Sequence, residues 1–297
     1  MNSIFDNTGF IWVKYDKYEL KTAENGIKYI TPAPDSKLTP YDPMKYADEM
    51  IIDALNTGAV CIKRSREKAI KKAVMEFVSK YGLFGFMTAL PTTPDFIDYN
   101  TAFIPHNHFI AAESMPSQDF SELFYPFATP DLIKSNGATE LNIADNNELV
   151  AALIAFGKMP TSMTMSFVRE YAEPYDWIVT QLRDMTFMLT TSIVYYEDYD
   201  EMDEEERDTL QKGMVAFGGI APTYRIALHE KPNLIWEFSS LLRNMQMLFC
   251  FMLTDNKKQI RICKQCDRIF IASHVNAAFC SPKCKNQYNV YKNRSKN

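Results

Sequence analysis

The spacing Cys263-x2-Cys266-x13-Cys280-x3-Cys284 constrains this chain more than any other feature. Two close cysteine pairs separated by a short span form the pattern of a four-thiolate zinc site, because each pair must aim two sulfurs at one ion. Cys61 and Cys250, the remaining two of six cysteines, stand in apolar surroundings elsewhere. So short a segment cannot bury enough apolar surface to fold alone. Metal supplies the difference, about 10–16 kcal/mol in small zinc modules near neutral pH. A closed shell of four cysteines points to a structural Zn2+ rather than a catalytic one.

The residues between the cysteines predict a shape. Cys263-Lys264-Gln265-Cys266 reads as a tight knuckle. Residues 268–273 (RIFIAS) read as a strand, and 275–279 (VNAAF) as a turn and a return strand. Ser281 is a natural N-cap and Pro282 a natural first helical residue, its missing N–H costing nothing there. Cys284 then falls in the first turn, where backbone N–H groups favour a thiolate. Phe270, Phe279 and Tyr288 are the expected small core. Knuckle, hairpin and helix in this order describe a treble-clef finger. His274 lies between the pairs and reads as a surface-loop residue rather than a ligand.

This segment resembles the CGNR zinc fingers of bacterial proteins proposed to be transcription regulators. Cys280-Ser281 and Cys284 match the start of that family's basic helix. Where the family has C-G-N-R, this chain has Cys284-Lys285-Asn286-Gln287, keeping only Cys and Asn. The resemblance covers residues 257–297 and the helix expected before them. It implies a DNA-binding regulator.

Charge divides the chain at the same place. Residues 257–297 hold ten Lys or Arg and one acid, Asp267, whereas residues 1–256 carry a net charge of −14. Such a step suggests different partners for the two parts. The final helix presents Lys283, Lys285, Lys292, Arg294 and Lys296 without one acid, and Asn286, Gln287 and Asn289 beside them. Lysine and arginine suit phosphates, and Asn or Gln can pair bidentately with adenine in the major groove. Docking of these cations on acidic surface, in the same chain or a partner, is the competing reading.

Upstream, the first thirty residues read as strands joined at Asn25-Gly26, a type I′ hairpin signal. Four prolines make residues 31–43 a loop or linker. Helices are expected over 45–58, ended by Gly58; over 65–81, capped by Ser65; over 146–158; and over 173–198. The acidic run 197–208 lacks the ligand alternation of a calcium loop. It reads as a helix start, with Asp203 and Glu206 forming a capping box. A last helix is expected over 233–254, leading into the cysteines. Glu237 and Arg243 within it argue for a buried helix and against a membrane span. Residues 91–140 read as loops with short helices. Lys63, Arg64, Arg66, Lys68, Lys71 and Lys72 form a second basic cluster, read as a solvated face.

Enzyme signatures fail one by one. His106-Asn107-His108 is a coincidence of letters with the nuclease motif, and no third metal ligand accompanies its histidines. His229-Glu230 begins a metalloprotease motif, but Asn233 stands where its second histidine belongs. No nucleophile elbow, phosphate loop or dinucleotide fingerprint is present in the sequence.

The expected protein is therefore α+β and not an enzyme. A mainly helical large domain over 1–256, opened by a β-hairpin, precedes a small treble-clef zinc finger over 257–297. Its expected role is zinc-dependent binding of duplex DNA in transcriptional regulation. The large domain would sense a small molecule or form a homodimer. The alternatives are a protein-interaction module with purely structural zinc, and an enzyme with an unrecognised site in the large domain. No apolar leader is visible, so a cytoplasmic location is expected.

Overall fold

In this computed structural model the described residues are 10–63, 66–85, 93–94, 101–103, 114–116, 123–127, 169–216, 223–228, 232–238, 240–255, 259–274 and 276–294. The elements run β1 (Trp12–Tyr15), β2 (Tyr18–Thr22), β3 (Lys28–Pro32), β4 (Leu38–Tyr41), a 3-10 turn (Pro43–Tyr46), α1 (Ala47–Ile62) and α2 (Glu67–Tyr81). Next come β5 (Thr93–Pro94), β6 (Thr101–Phe103), β7 (Ser114–Pro116), β8 (Glu173–Pro174), α3 (Tyr175–Glu197) and α4 (Glu204–Ala216). The chain continues through β9 (Thr223–Leu228), β10 (Pro232–Glu237), α5 (Leu241–Thr254), β11 (Ile260–Ile262), β12 (Ile269–Ile271) and α6 (Pro282–Arg294). Helix and strand are mixed, and the N-terminal strands pair antiparallel. Two compact units are formed, one from residues 1–45, 71–180 and 222–244, the other from 46–70, 181–221 and 245–297. Packing, not the charge step near residue 257, draws these boundaries. The expected helix at 146–158, the Ser65 cap and the His106/His108 pair lie outside the described residues.

In the first unit, β2 and β3 form the expected hairpin, with Thr22 opposite Lys28. Its turn differs from expectation. Gly26 has φ 79°, but among the described residues Asp267 is the one non-glycine with positive φ. Asn25 is thus not left-handed, as a type I′ turn would require. Instead Gly26 N–H donates to Ala23 O, and Ala23 N–H donates to Ile27 O. That is a type I turn closed by a left-handed glycine, which allows a longer loop at the same twist. The Asn25 side chain accepts from Ile27 N–H and so spends its polarity locally.

The proline-rich stretch also departs from expectation. It contains β4, paired with β1 so that Pro40 faces Val13. Among the described residues β1 is the single neighbour of β4, and proline is tolerated on such an edge because no ladder needs its missing N–H. In the 91–140 region the described residues are the short strands β5, β6 and β7, paired in that order, and residues 123–127. The expected helix at 233–254 begins only at Leu241, because residues 232–237 pair with β9. Ser240 Oγ accepts from Arg243 N–H and opens the helix there.

The core of this unit is aromatic. Trp12 is 1% exposed, and its indole N–H donates to Leu83 O at 2.8 Å. Phe10 stacks on Trp12 and meets Phe238 edge-on. Val74, Phe77, Val78 and Tyr81 line the buried face of α2 at helical spacing, with Ile70 half-buried at the same spacing. Within this apolar mass sits the carboxylate of Glu173, fully buried. It accepts from Phe84 N–H at 2.8 Å, from Gly85 N–H at 2.6 Å and from the Tyr171 hydroxyl at 2.9 Å. Buried donors stripped of an ionic acceptor cost several kcal/mol in combination. Glu173→Ala is therefore expected to lower stability by about 3 kcal/mol in denaturant unfolding. A change below about 0.5 kcal/mol would mean that water replaces the carboxylate at little cost.

In the second unit, α1 does not stop at Gly58, which lies buried mid-helix. Ala54, Gly58 and Cys61 form a stripe of small buried residues. A Cβ at Gly58 would overlap the backbone oxygen of Leu182 and Oγ1 of Thr186, so glycine is there for helix contact rather than for termination. Thr186 Oγ1 donates to Leu55 O at 2.9 Å and seals the crossing of α1 with α3. Leu182, Met185 and Leu189 supply the buried stripe of α3. The capping box of α4 forms as expected, with Glu206 N–H donating to Asp203 Oδ1 and Asp203 N–H to Glu206 Oε2. Among the described residues no helix is long and apolar enough to cross a membrane.

Candidate metal centre and basic helix

The second unit ends in the cysteine segment. The expected strand at 275–279 is not formed by its described residues, and the hairpin lies earlier. β11 pairs with β12, Ile262 opposite Ile269, so the first cysteine pair occupies the hairpin turn itself. The residues 259–262 before Cys263 supply the partner strand, and Ala272 N–H to Gln259 O extends the ladder. Cys263 N–H donates to Arg268 O, and Asp267 N–H donates to Cys263 O. Asp267 closes this knuckle at φ 57°, a conformation that Asp reaches more readily than most residues. Lys264 N–H donates to Ala278 O and ties the knuckle to the approach of the second pair.

That second pair opens α6. Ser281 Oγ accepts from Cys284 N–H at 3.2 Å, the cap expected from sequence, and Pro282 begins the helix. Phe279 packs on Tyr288 at 5.1 Å between ring centroids, while Phe270 is half-buried on β12. His274 is exposed and takes no part in the cluster.

All four sulfurs lie within 4.8 Å of one another. Cys266 and Cys280 are 3.7 Å apart, Cys280 and Cys284 3.6 Å, and Cys284 and Cys266 3.8 Å. A disulfide needs a separation of about 2.05 Å, so these thiols are not bonded to one another. Four sulfurs placed tetrahedrally about 2.3 Å from one ion stand about 3.8 Å apart, which is the spacing of Cys266, Cys280 and Cys284, with Cys263 within 4.8 Å of them. The cluster is thus placed to hold one metal ion, and a four-sulfur tetrahedron suits zinc or iron.

The local electrostatics agree. Burial pushes the Cys263 thiol up, but the backbone N–H groups of Cys280, Gln265 and Cys266 outweigh it and bring the pKa down to about 6. Burial and then the thiols of Cys284, Cys263 and Cys266 push Cys280 up to about 12. Cys266 is also raised, first by burial. One thiolate is welcome here, and further ones repel unless a cation joins them. Cys263 is fully buried, whereas Cys266 is exposed. A groove of about 570 Å³ runs past Cys266, Cys280 and Cys284 to the first two turns of α1, lined there by Asp48, Glu49 and Ile52.

No side chain of α6 is buried. Lys283, Lys285, Asn286, Gln287, Asn289, Lys292 and Arg294 are all exposed, and Lys296 lies outside the described residues. Lys283, Lys285 and Arg294 make no ion pair among the described residues. The second basic cluster is exposed at Lys63, Arg66, Lys68, Lys71 and Lys72, with Arg64 outside the described residues. There Lys63 pairs with Asp267 at 3.0 Å and Lys72 with Glu76 at 3.7 Å, as a solvated face does.

Asn56 is a site residue that the sequence reading missed. Its side chain on α1 bonds the backbone of β12 twice, at 2.9 Å each. The signal was a lone amide amid Ile51, Ile52, Ala54 and Leu55, in a helix interior that Asn does not favour. Compared with protein-family models, with curated proteins and with solved structures, the chain matches none.

Proposed function

We propose that the cysteine cluster holds a structural Zn2+, that residues 257–297 form a treble-clef finger of the CGNR kind, and that α6 contacts duplex DNA in transcriptional regulation. The observation that carries this reading is the surface of α6: free of acids, with no fully buried side chain, and with Lys283, Lys285 and Arg294 in no ion pair among the described residues, beside a row of exposed amides. Phosphates would take the lysines and Arg294, and Asn286, Gln287 or Asn289 would reach base edges. A single helix of 13 residues offers a small interface, so useful affinity calls for two copies acting together. The remainder of the chain would then pair the copies or sense a small molecule. No catalytic role is assigned.

Fluorescence anisotropy with mixed-sequence duplex DNA tests the reading. Affinity is expected to fall with rising salt at a log–log slope of about 3, the value for three or four phosphates. Lys285→Glu with Lys292→Glu is expected to weaken binding at least about tenfold. No binding at low salt, or binding indifferent to this double substitution, would overturn it. A second reading rests on Val290 and Tyr291, apolar side chains of the same helix that are 47% and 53% exposed. These suit a protein partner, and salt-insensitive capture of such a partner with no DNA binding would favour it.

A further inference from the structure

We propose that Asn56 is a positioning residue for the metal centre, so that metal occupancy and the ordering of α1 form one coupled equilibrium. The inference rests on the metal reading above and is independent of what α6 touches.

Antiparallel pairing sets up the contact. Residues of a strand point their N–H and C=O alternately toward and away from the partner strand. Arg268 O and Ala272 N–H bond toward β11, so Ile269 turns both its backbone groups the other way. That edge would otherwise be open. Asn56 covers it: its Nδ2 donates to Ile269 O and its Oδ1 accepts from Ile269 N–H, both at 2.9 Å. The second Nδ2 hydrogen donates to Ile52 O at 2.8 Å, one turn back along α1, and fixes the amide plane. The side chain thereby serves as a one-residue strand partner, 213 positions away in the chain.

Ile269 is three residues from Cys266, and the turn between them is the knuckle. The orientation of β12 therefore governs where the first cysteine pair points. Lys63 at the end of α1 reaches the same knuckle through Asp267. This exposed ion pair adds little by itself; the amide contact is the half-buried, doubly bonded one. Groups that orient a ligand-bearing segment typically alter metal affinity 10–100-fold when removed. Coupling of two equilibria is reciprocal: if α1 strengthens metal binding, metal must strengthen α1 by the same factor.

The test uses the full chain and zinc itself. Wild type, Asn56→Ala and Thr57→Ala are titrated with zinc against a chromophoric chelator, helicity being checked by circular dichroism. Among the described residues the Thr57 side chain bonds only within α1, to Asp53 O, and it controls for general weakening of that helix. Asn56→Ala is expected to lower zinc affinity about tenfold, with Thr57→Ala unchanged. Removing zinc from wild type is expected to speed amide exchange in α1. A folded Asn56→Ala with wild-type affinity overturns the proposal, as does an equal loss in Thr57→Ala. Should Asn56→Ala fail to fold, Asn56→Asp keeps the acceptor and loses the donor; unchanged affinity there, or unchanged α1 exchange in wild type, decides against it. Wild type that binds no zinc at all sinks the metal reading itself, a different failure.

Discussion

Replacing Cys280 and Cys284 together by serine is expected to take bound metal from one ion per chain to none and to unfold residues 259–294. The reason lies in the size of the segment. Its described side chains bury little: Cys263, Ile269, Ala272 and Ala277 are its buried residues with apolar side chains. At about 25 cal/mol per Å² of apolar surface, such a core cannot offset the entropy of ordering the chain. A structural zinc would supply about 10–16 kcal/mol and so decide the balance. Amide exchange resolved by segment, with elemental analysis of the same samples, measures both effects. Exchange of α6 is expected to become unprotected in the variant and, equally, in wild type stripped by chelator. Metal affinity is expected to fall in acid, because ligation requires thiolates and therefore releases protons. Cys250→Ser is the control; that thiol is exposed on α5 and outside the cluster, so metal content should stay at one. A double-serine variant that keeps its protection would show that something other than metal folds the segment.

Gly58→Ala is expected to be the most damaging single-methyl change in the second unit. The added Cβ would overlap Leu182 O, which is backbone, and Thr186 Oγ1, which is engaged with Leu55 O. Neither can yield cheaply, so α1 and α3 must separate. Overpacking of a tight core costs about 1–3 kcal/mol, and a backbone clash belongs at or above about 3. Gly213→Ala makes the opposite case. A Cβ there meets nothing within 4 Å, so only helix propensity changes. That substitution in α4 is expected to stabilise by about 0.5–1 kcal/mol. Thermal or urea unfolding of the two variants beside wild type measures the contrast. Equal effects at the two glycines would mean that the helices do not approach as described.

The coupling through Asn56 gives these two results a link. α1 carries both the contact with α3 at Gly58 and the contact with β12 at Asn56. Loosening the helix crossing should therefore weaken the platform on which the knuckle rests. The cysteine segment rests on a helix of its own unit.

What could be read from sequence was chemistry with a short range. Four cysteines at that spacing find one another within 22 residues, and Ser281-Pro282 caps a helix with atoms three positions away. The capping box at Asp203 and the buried stripe of α2 are equally local. So is the open, acid-free surface of α6, since charges on a terminal helix are legible wherever it points.

Long-range pairing overrode the local signals elsewhere. Residues 233–237 carry a pattern that suits a helix, yet they pair with β9 and become strand. Pro40 marks a loop by composition, yet β1 offers an edge that needs no N–H from it. RIFIAS is strand-like and points to a hairpin after the first cysteine pair, while its partner is the chain before that pair. Gly58 looks like a helix stop, and only the approach of Leu182, 124 positions on, shows that it is a contact. The sequence by itself determined which groups could hold a metal and which could meet a phosphate, because both depend on residue type and near spacing. Only the tertiary structure decided what those groups rest on, because hydrogen bonds such as Asn56 to Ile269 join residues whose proximity nothing local records.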